Sequence, residues 1–163
     1  MMRSGRSAID RFLFDRMTTE GISSSGLASP QTLIRRAALV LTGLPPTVDE
    51  VTAFVAACEQ DRDAAYVALI DRLLESPRFG ERFARHWLDV VRFTETHGNE
   101  WNYDVPFAWR YRDYVIRALN QDLPYDQFMR EQIAGDLLAS PRWNRDGNFN
   151  ESASARRFTA SAK

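Results

Sequence analysis

Residues 29–58 read SPQTLIRRAALVLTGLPPTVDEVTAFVAAC, and the fold class follows from this stretch. Ser29 before Pro30 is a helix start. The serine oxygen caps free N–H groups, and proline suits the first helical position, where its missing donor costs nothing. From Leu33 to Leu41 the chain is apolar nearly all round, interrupted by Arg35 and Arg36. Such a helix belongs at the centre of a fold. Gly43 closes it, and Leu44-Pro45-Pro46 cannot extend it, because proline lacks an N–H and clashes with the preceding turn. Thr47 with Glu50 is a capping-box signature. Val48, Val51, Phe54, Val55 and Cys58 follow at the spacing of one inward helical stripe.

The same period continues on both sides. Upstream, Ser7 with Asp10 resembles a capping box and opens a first helix. Its apolar face is Ile9, Phe12, Leu13 and Met17, and Gly21 ends it. Downstream, Asp61 caps a fourth helix that buries Tyr66, Leu69, Ile70, Leu73 and Leu74. Ser76-Pro77 starts a fifth, with Phe79, Phe83, Trp87 and Val91 on one face. A sixth runs from about Val105 to Asn120. Pro124 opens a seventh bearing Tyr125, Phe128, Met129, Ile133 and Leu137. No strand-type alternation and no internal repeat is visible. The pattern predicts an all-α fold: one compact domain of about seven helices over residues 7–140, joined by irregular loops. The tail, residues 141–163, is rich in Ser, Ala, Arg and Asn without an apolar period. It is expected to be loose or disordered.

Composition narrows the function classes. The chain has 163 residues and 18.7 kDa, the size of one domain. With 21 basic and 22 acidic residues, its net charge of −1 argues against a broad nucleic-acid footprint. A single cysteine, Cys58, leaves no internal disulfide and no CxxCH site; on its apolar face it reads as a small core residue. No apolar run is long enough to span a membrane. The opening MMRSGRSAIDRFLF has no apolar signal core, so no signal peptide is expected in the chain as given.

One segment stands out for chemistry. Arg92 to Tyr114 reads RFTETHGNEWNYDVPFAWRYRDY. It is dense in aromatics (Phe93, Trp101, Tyr103, Phe107, Trp109, Tyr111, Tyr114) and in ionisable groups. A loop of that kind between two helices suits a binding site. The plain alternative is that the aromatics pack an interhelical gap and the charges are solvated. Just before it, His86 and Asp89 share a helix face, with Arg82, Arg85 and Arg92 on the same polar side. A histidine oriented by a carboxylate can serve as acid or base, so the catalytic candidates are His86, Asp89, Arg92, Glu95, His97 and Glu100. An ordinary charged helix surface explains the same pattern. Glu95, Glu100 and Asp104 could also present paired carboxylates across an aromatic cleft, as sugar hydrolysis requires. The binding candidates are Trp101, Tyr103, Asp104, Trp109, Arg110 and Arg112, the arginines clamping an anion or pairing with Asp113 and Glu131. His86 and His97 lack a diagnostic metal-ligand spacing, so no metal is expected. Nucleophile-elbow and phosphate-loop motifs are absent.

Long phrases of the chain are distinctive: IDRFLFDRM from Ile9, LTGLPPT from Leu41, SPRFGERFARHWLD from Ser76 and YRDYVIRALNQDLPYDQF from Tyr111. With their flanks they span most of Ile9 to Leu138. In them the chain resembles a domain of unknown function from planctomycete secreted proteins, one that usually follows a cytochrome c module. The resemblance implies an accessory or interaction domain of an exported, periplasmic or extracellular, multi-domain protein. Its implied partners are the neighbouring cytochrome c-type domain and a C-terminal domain of unknown function. Haem is implied only on that neighbour, and no cofactor in this chain. The alternative is an enzyme domain acting on a carbohydrate-like or anionic substrate. The chain as given departs from the family's usual layout in lacking the upstream CxxCH module and the downstream partner domain. Its tail after Asn150-Glu151-Ser152 reads like a truncation or a shifted frame, so one domain of a longer gene is expected.

Overall fold

The computed structural model describes residues 7–98 and 102–160. Eight helices occur among them: α1 (Ala8–Thr19), α2 (Pro30–Leu41), α3 (Val48–Gln60), α4 (Arg62–Leu74), α5 (Pro77–Val90), α6 (Trp109–Asn120), α7 (Tyr125–Ala134) and α8 (Glu151–Ala160). A two-stranded antiparallel hairpin, β1 (Trp143–Asn144) and β2 (Phe149–Asn150), precedes α8. The all-α expectation holds, with the hairpin as a small addition.

Local chemistry sets the helix starts. Ser7 accepts from the Asp10 N–H while Asp10 accepts from the Ser7 N–H, and Thr47 and Glu50 make the same reciprocal pair. Ser29 and Ser76 cap α2 and α5, each followed by proline, and the Asp61 carboxylate accepts from the Ala64 N–H at the start of α4. The sixth helix begins at Trp109 rather than near Val105. Pro106 and the positive φ of Phe107, 64°, belong to a turn instead.

Two cores result. One is aliphatic, with Phe54 its one ring: Ile34, Ala37 and Ala38 of α2, Phe54 of α3, and Leu69 and Leu73 of α4, with Cys58 against its edge. The other is aromatic: Ala84 of α5, Tyr111, Tyr114, Val115 and Ala118 of α6, Phe128 of α7 and Ala155 of α8. Gly80 lets α5 and α6 close on each other. A Cβ there would lie 2.5 Å from Asn120 Oδ1, and that oxygen accepts from the Gly80 N–H at 2.8 Å.

Three expectations need correction. First, residues 141–155 are docked, not loose: Glu151, Ser152 and Ala155 are fully or nearly fully buried against α6 and α7. Ion pairs, described below, hold them where apolar periodicity is absent. Second, α1 buries no residue. Ile9, Phe12 and Leu13 are 71%, 80% and 57% exposed. Third, α7 turns Phe128, Glu131 and Gln132 inward and leaves Tyr125 and Ile133 outside, with Leu137 beyond its end also exposed. Val48, Tyr66 and Leu74 likewise face outward.

Candidate functional site

The loop between α5 and α6 is an irregular hairpin. The Val105 N–H donates to Glu95 O at 2.7 Å and the His97 N–H to Tyr103 O at 3.0 Å, around a bridge between Thr96 and Asp104. Gly98 at φ 63° donates to Asn102 Oδ1. Three non-glycine residues in this region hold positive φ: Arg92 (54°), Asn102 (34°) and Phe107 (64°). For a bulky residue such as Phe107 that conformation is strained.

The sequence candidates fall into separate groups. Arg112 of α6 pairs with Glu95 across the base of the loop and reaches Asp113 Oδ1 at 3.2 Å. The Arg110 guanidinium sits over the rings of Phe107, at 4.6 Å, and Trp109, at 5.4 Å, on an exposed aromatic corner. Tyr103, Asp104 and His97 are exposed on the loop. His86 and Asp89 project from α5 and no hydrogen bond joins them among the described residues. His86 instead meets the edge of Phe83, 5.8 Å between centroids, and lines a groove of about 670 Å³ with Phe83, Trp87, Val90, Leu123 and Tyr125. None of Glu95, His97, Asp104, Arg110 or Arg112 lines that groove. Glu100 and Trp101 lie outside the described residues. No three His, Cys, Asp or Glu side chains among the described residues come together as a metal site.

Sequence reasoning missed the polar groups inside the aromatic core. Glu131 is fully buried, and Arg142 holds it bidentately, Nε to Oε1 at 2.7 Å and Nη2 to Oε2 at 2.9 Å. Tyr114 donates to the same carboxylate at 2.9 Å. Its expected partners, Arg110 and Arg112, are engaged elsewhere. A second bidentate pair joins Arg117 of α6 to the buried Glu151 of α8, at 2.6 and 3.0 Å, and Asn144 Nδ2 adds a third donor at 2.8 Å. The Trp87 indole N–H donates to Tyr111 Oη at 2.9 Å, and Tyr111 donates to Gln132 Oε1 at 2.8 Å.

These surroundings shift the ionisations. Burial pushes the Tyr114 phenol far up, and the charge of Glu131 adds to the effect. Burial likewise raises Tyr111. For Glu131, burial acts upward, but the hydrogen bonds from Arg142 and Tyr114 outweigh it and hold the carboxyl below its usual range. Glu131 in turn raises Arg142. The core therefore carries a fixed ion pair and two neutral phenols at neutral pH. The advance signals were Glu131, expected to pair with Arg110 or Arg112 instead, and the charged residues Arg142 and Glu151 in the tail, which composition alone reads as solvated.

Mostly helical over its described residues, with a strained aromatic loop and an ion-paired core, the chain is an all-α domain. Over residues 8–163 it matches PSCyt2, described as a protein of unknown function (DUF1549), and it belongs to that family. No curated protein and no solved structure matches it significantly. Among the described residues no helix is long and apolar enough to cross a membrane.

Proposed function

We propose that this chain is an accessory, interaction-making domain of an exported, cytochrome c-associated multi-domain protein. The observation that carries the reading is the apolar surface it keeps outside. Ile9, Phe12 and Leu13 of α1, Tyr125 and Ile133 of α7, and Leu137 after it are each more than half exposed. Apolar faces of this kind mark surfaces that pack on another body. The family resemblance supplies the neighbours, a cytochrome c-type domain and a C-terminal domain of unknown function, with haem on the former. The same resemblance supports export to the periplasm or beyond.

Sedimentation velocity on the purified chain tests it. The exposed faces predict concentration-dependent association, suppressed by Phe12→Glu together with Ile133→Lys. A monodisperse species near 18.7 kDa at all concentrations, unchanged by these substitutions, overturns the reading.

A second reading rests on the strained loop. Positive φ at Arg92, Asn102 and Phe107 concentrates backbone strain beside Glu95, Arg112, Arg110 and Trp109. Strain held in that way suits a site for a carbohydrate-like or anionic substrate, with His97, Tyr103 and Asp104 on the same loop. In this reading His86 belongs to the neighbouring groove, and Asp89 stays exposed on α5 outside it. Phe107→Gly relaxes the backbone and removes the ring. It is expected to abolish saturable ligand binding while the helical content stays unchanged.

A further inference from the structure

We propose that the cleft between the C-terminal end of α2 and the outer face of α5 binds a small oxyanion, carboxylate or phosphate in type, through Arg82 and Arg85. The cleft encloses about 460 Å³ and is lined by Leu39, Thr42, Gly43, Glu81, Arg82 and Arg85. Arg82 and Arg85 stand one helical turn apart on one face of α5, so both guanidinium groups reach the same opening.

Gly43 places Arg82. It holds φ 75°, and a Cβ there would lie only 3.1 Å from Arg82 Cδ. The glycine that stops α2 therefore also clears the path along which the arginine runs. The result is a half-buried arginine whose Nε is buried and has no acceptor among the described residues. A buried donor left unpaired is costly, and such groups call for a partner.

Charge gives the same answer. Arg117 and Arg142 are half-buried too, and each holds a carboxylate through two N–H groups. Arg82 is also half-buried, but no carboxylate among the described residues pairs with it. Among the described residues neither Arg82 nor Arg85 forms an ion pair, and the one acid in the cleft, Glu81, is held by Arg78 Nη1 at 2.8 Å. The C-terminal carbonyls of α2 offset about half a charge, against two full positive charges. A planar or tetrahedral oxyanion in the cleft supplies acceptors to the two guanidinium groups in the geometry that they recognise. This site is independent of the apolar faces discussed above.

The test is a titration of the whole chain with inorganic phosphate and, separately, with sodium acetate, each at constant ionic strength. Calorimetry and the arginine Nε–H resonances are read together. At least one anion is expected to bind saturably, moving the Arg82 resonance, and the anion that saturates tells phosphate chemistry from carboxylate chemistry. Arg82→Gln and the exposed Arg85→Gln are each expected to weaken binding about tenfold or more. Arg85→Gln lies on the lip, so it reports even where Arg82→Gln does not fold. Neither anion saturating, or equal affinity in wild type and Arg85→Gln, overturns the proposal.

Discussion

The two halves of this domain are built by different physics. In the first, α2, α3 and α4 close on Ile34, Ala37, Ala38, Phe54, Leu69 and Leu73, and no buried charge takes part. In the second, α5 to α8 close on stacked tyrosines and phenylalanine, with Glu131 and Glu151 fully or nearly fully buried among them. Tyr111 and Tyr114 stack at 6.4 Å, and Tyr114 and Phe128 at 5.9 Å. An apolar core tolerates the loss of one contact in proportion to the volume removed. A core with buried charges is cooperative in a sharper way, because removing one partner strands the other.

Truncating each core exposes this difference. Glu131→Ala leaves Arg142 and the Tyr114 hydroxyl without their acceptor, and a loss of about 3–5 kcal/mol is expected. The docked tail should be released with it. Leu69→Ala in the aliphatic core should cost about 2–4 kcal/mol, without selective release of the tail. Urea denaturation followed by far-UV circular dichroism, with tail proteolysis, measures both. If Glu131→Ala costs no more than a surface change, the ion pair does not anchor the tail.

Acid sharpens the contrast. The Glu131 carboxyl titrates below its ordinary value, so its stabilisation is fully present above the unfolded-state value of about 4.3 and is lost as pH falls through the lower folded-state value. The α6–α8 half should therefore loosen first on acidification, before the aliphatic half. Near-UV circular dichroism, which reports Tyr111 and Tyr114, should change at higher pH than the far-UV signal of α2 to α4. The smallest effect belongs to the helix starts. Thr47→Ala removes the oxygen that accepts from the Glu50 N–H and should cost about 1 kcal/mol.

What could be read in advance follows the same division. Caps and proline stops are local chemistry, so Ser29-Pro30, Thr47 with Glu50, Asp61 and Ser76-Pro77 all act where the residues alone place them. Apolar period found the inward residues of α2 and the centre of α3 and α4. It failed where the fold uses polar groups inside: α7 presents Glu131 and Gln132 to the core, so the apolar stripe of Tyr125 and Ile133 points the other way. It failed in the tail because Arg142 and Glu151 find partners 11 and 34 residues away, a distance that no local pattern encodes. In the candidate loop, the concentration of aromatics and charges was legible. Their separation into a Glu95–Arg112 pair, an Arg110 corner and a His86 groove depends on the loop's backbone, and Phe107 at positive φ has no signature in composition.

Peptide-resolved hydrogen exchange at neutral pH, on wild type and Glu131→Gln, tests most directly whether buried ion pairs make the tail part of the fold. Slow exchange is predicted across residues 150–155 in the wild type, comparable to α6. It should be lost in Glu131→Gln while α2 to α4 stay protected. Fast exchange of those residues in the wild type, or protection unchanged by the substitution, would contradict it.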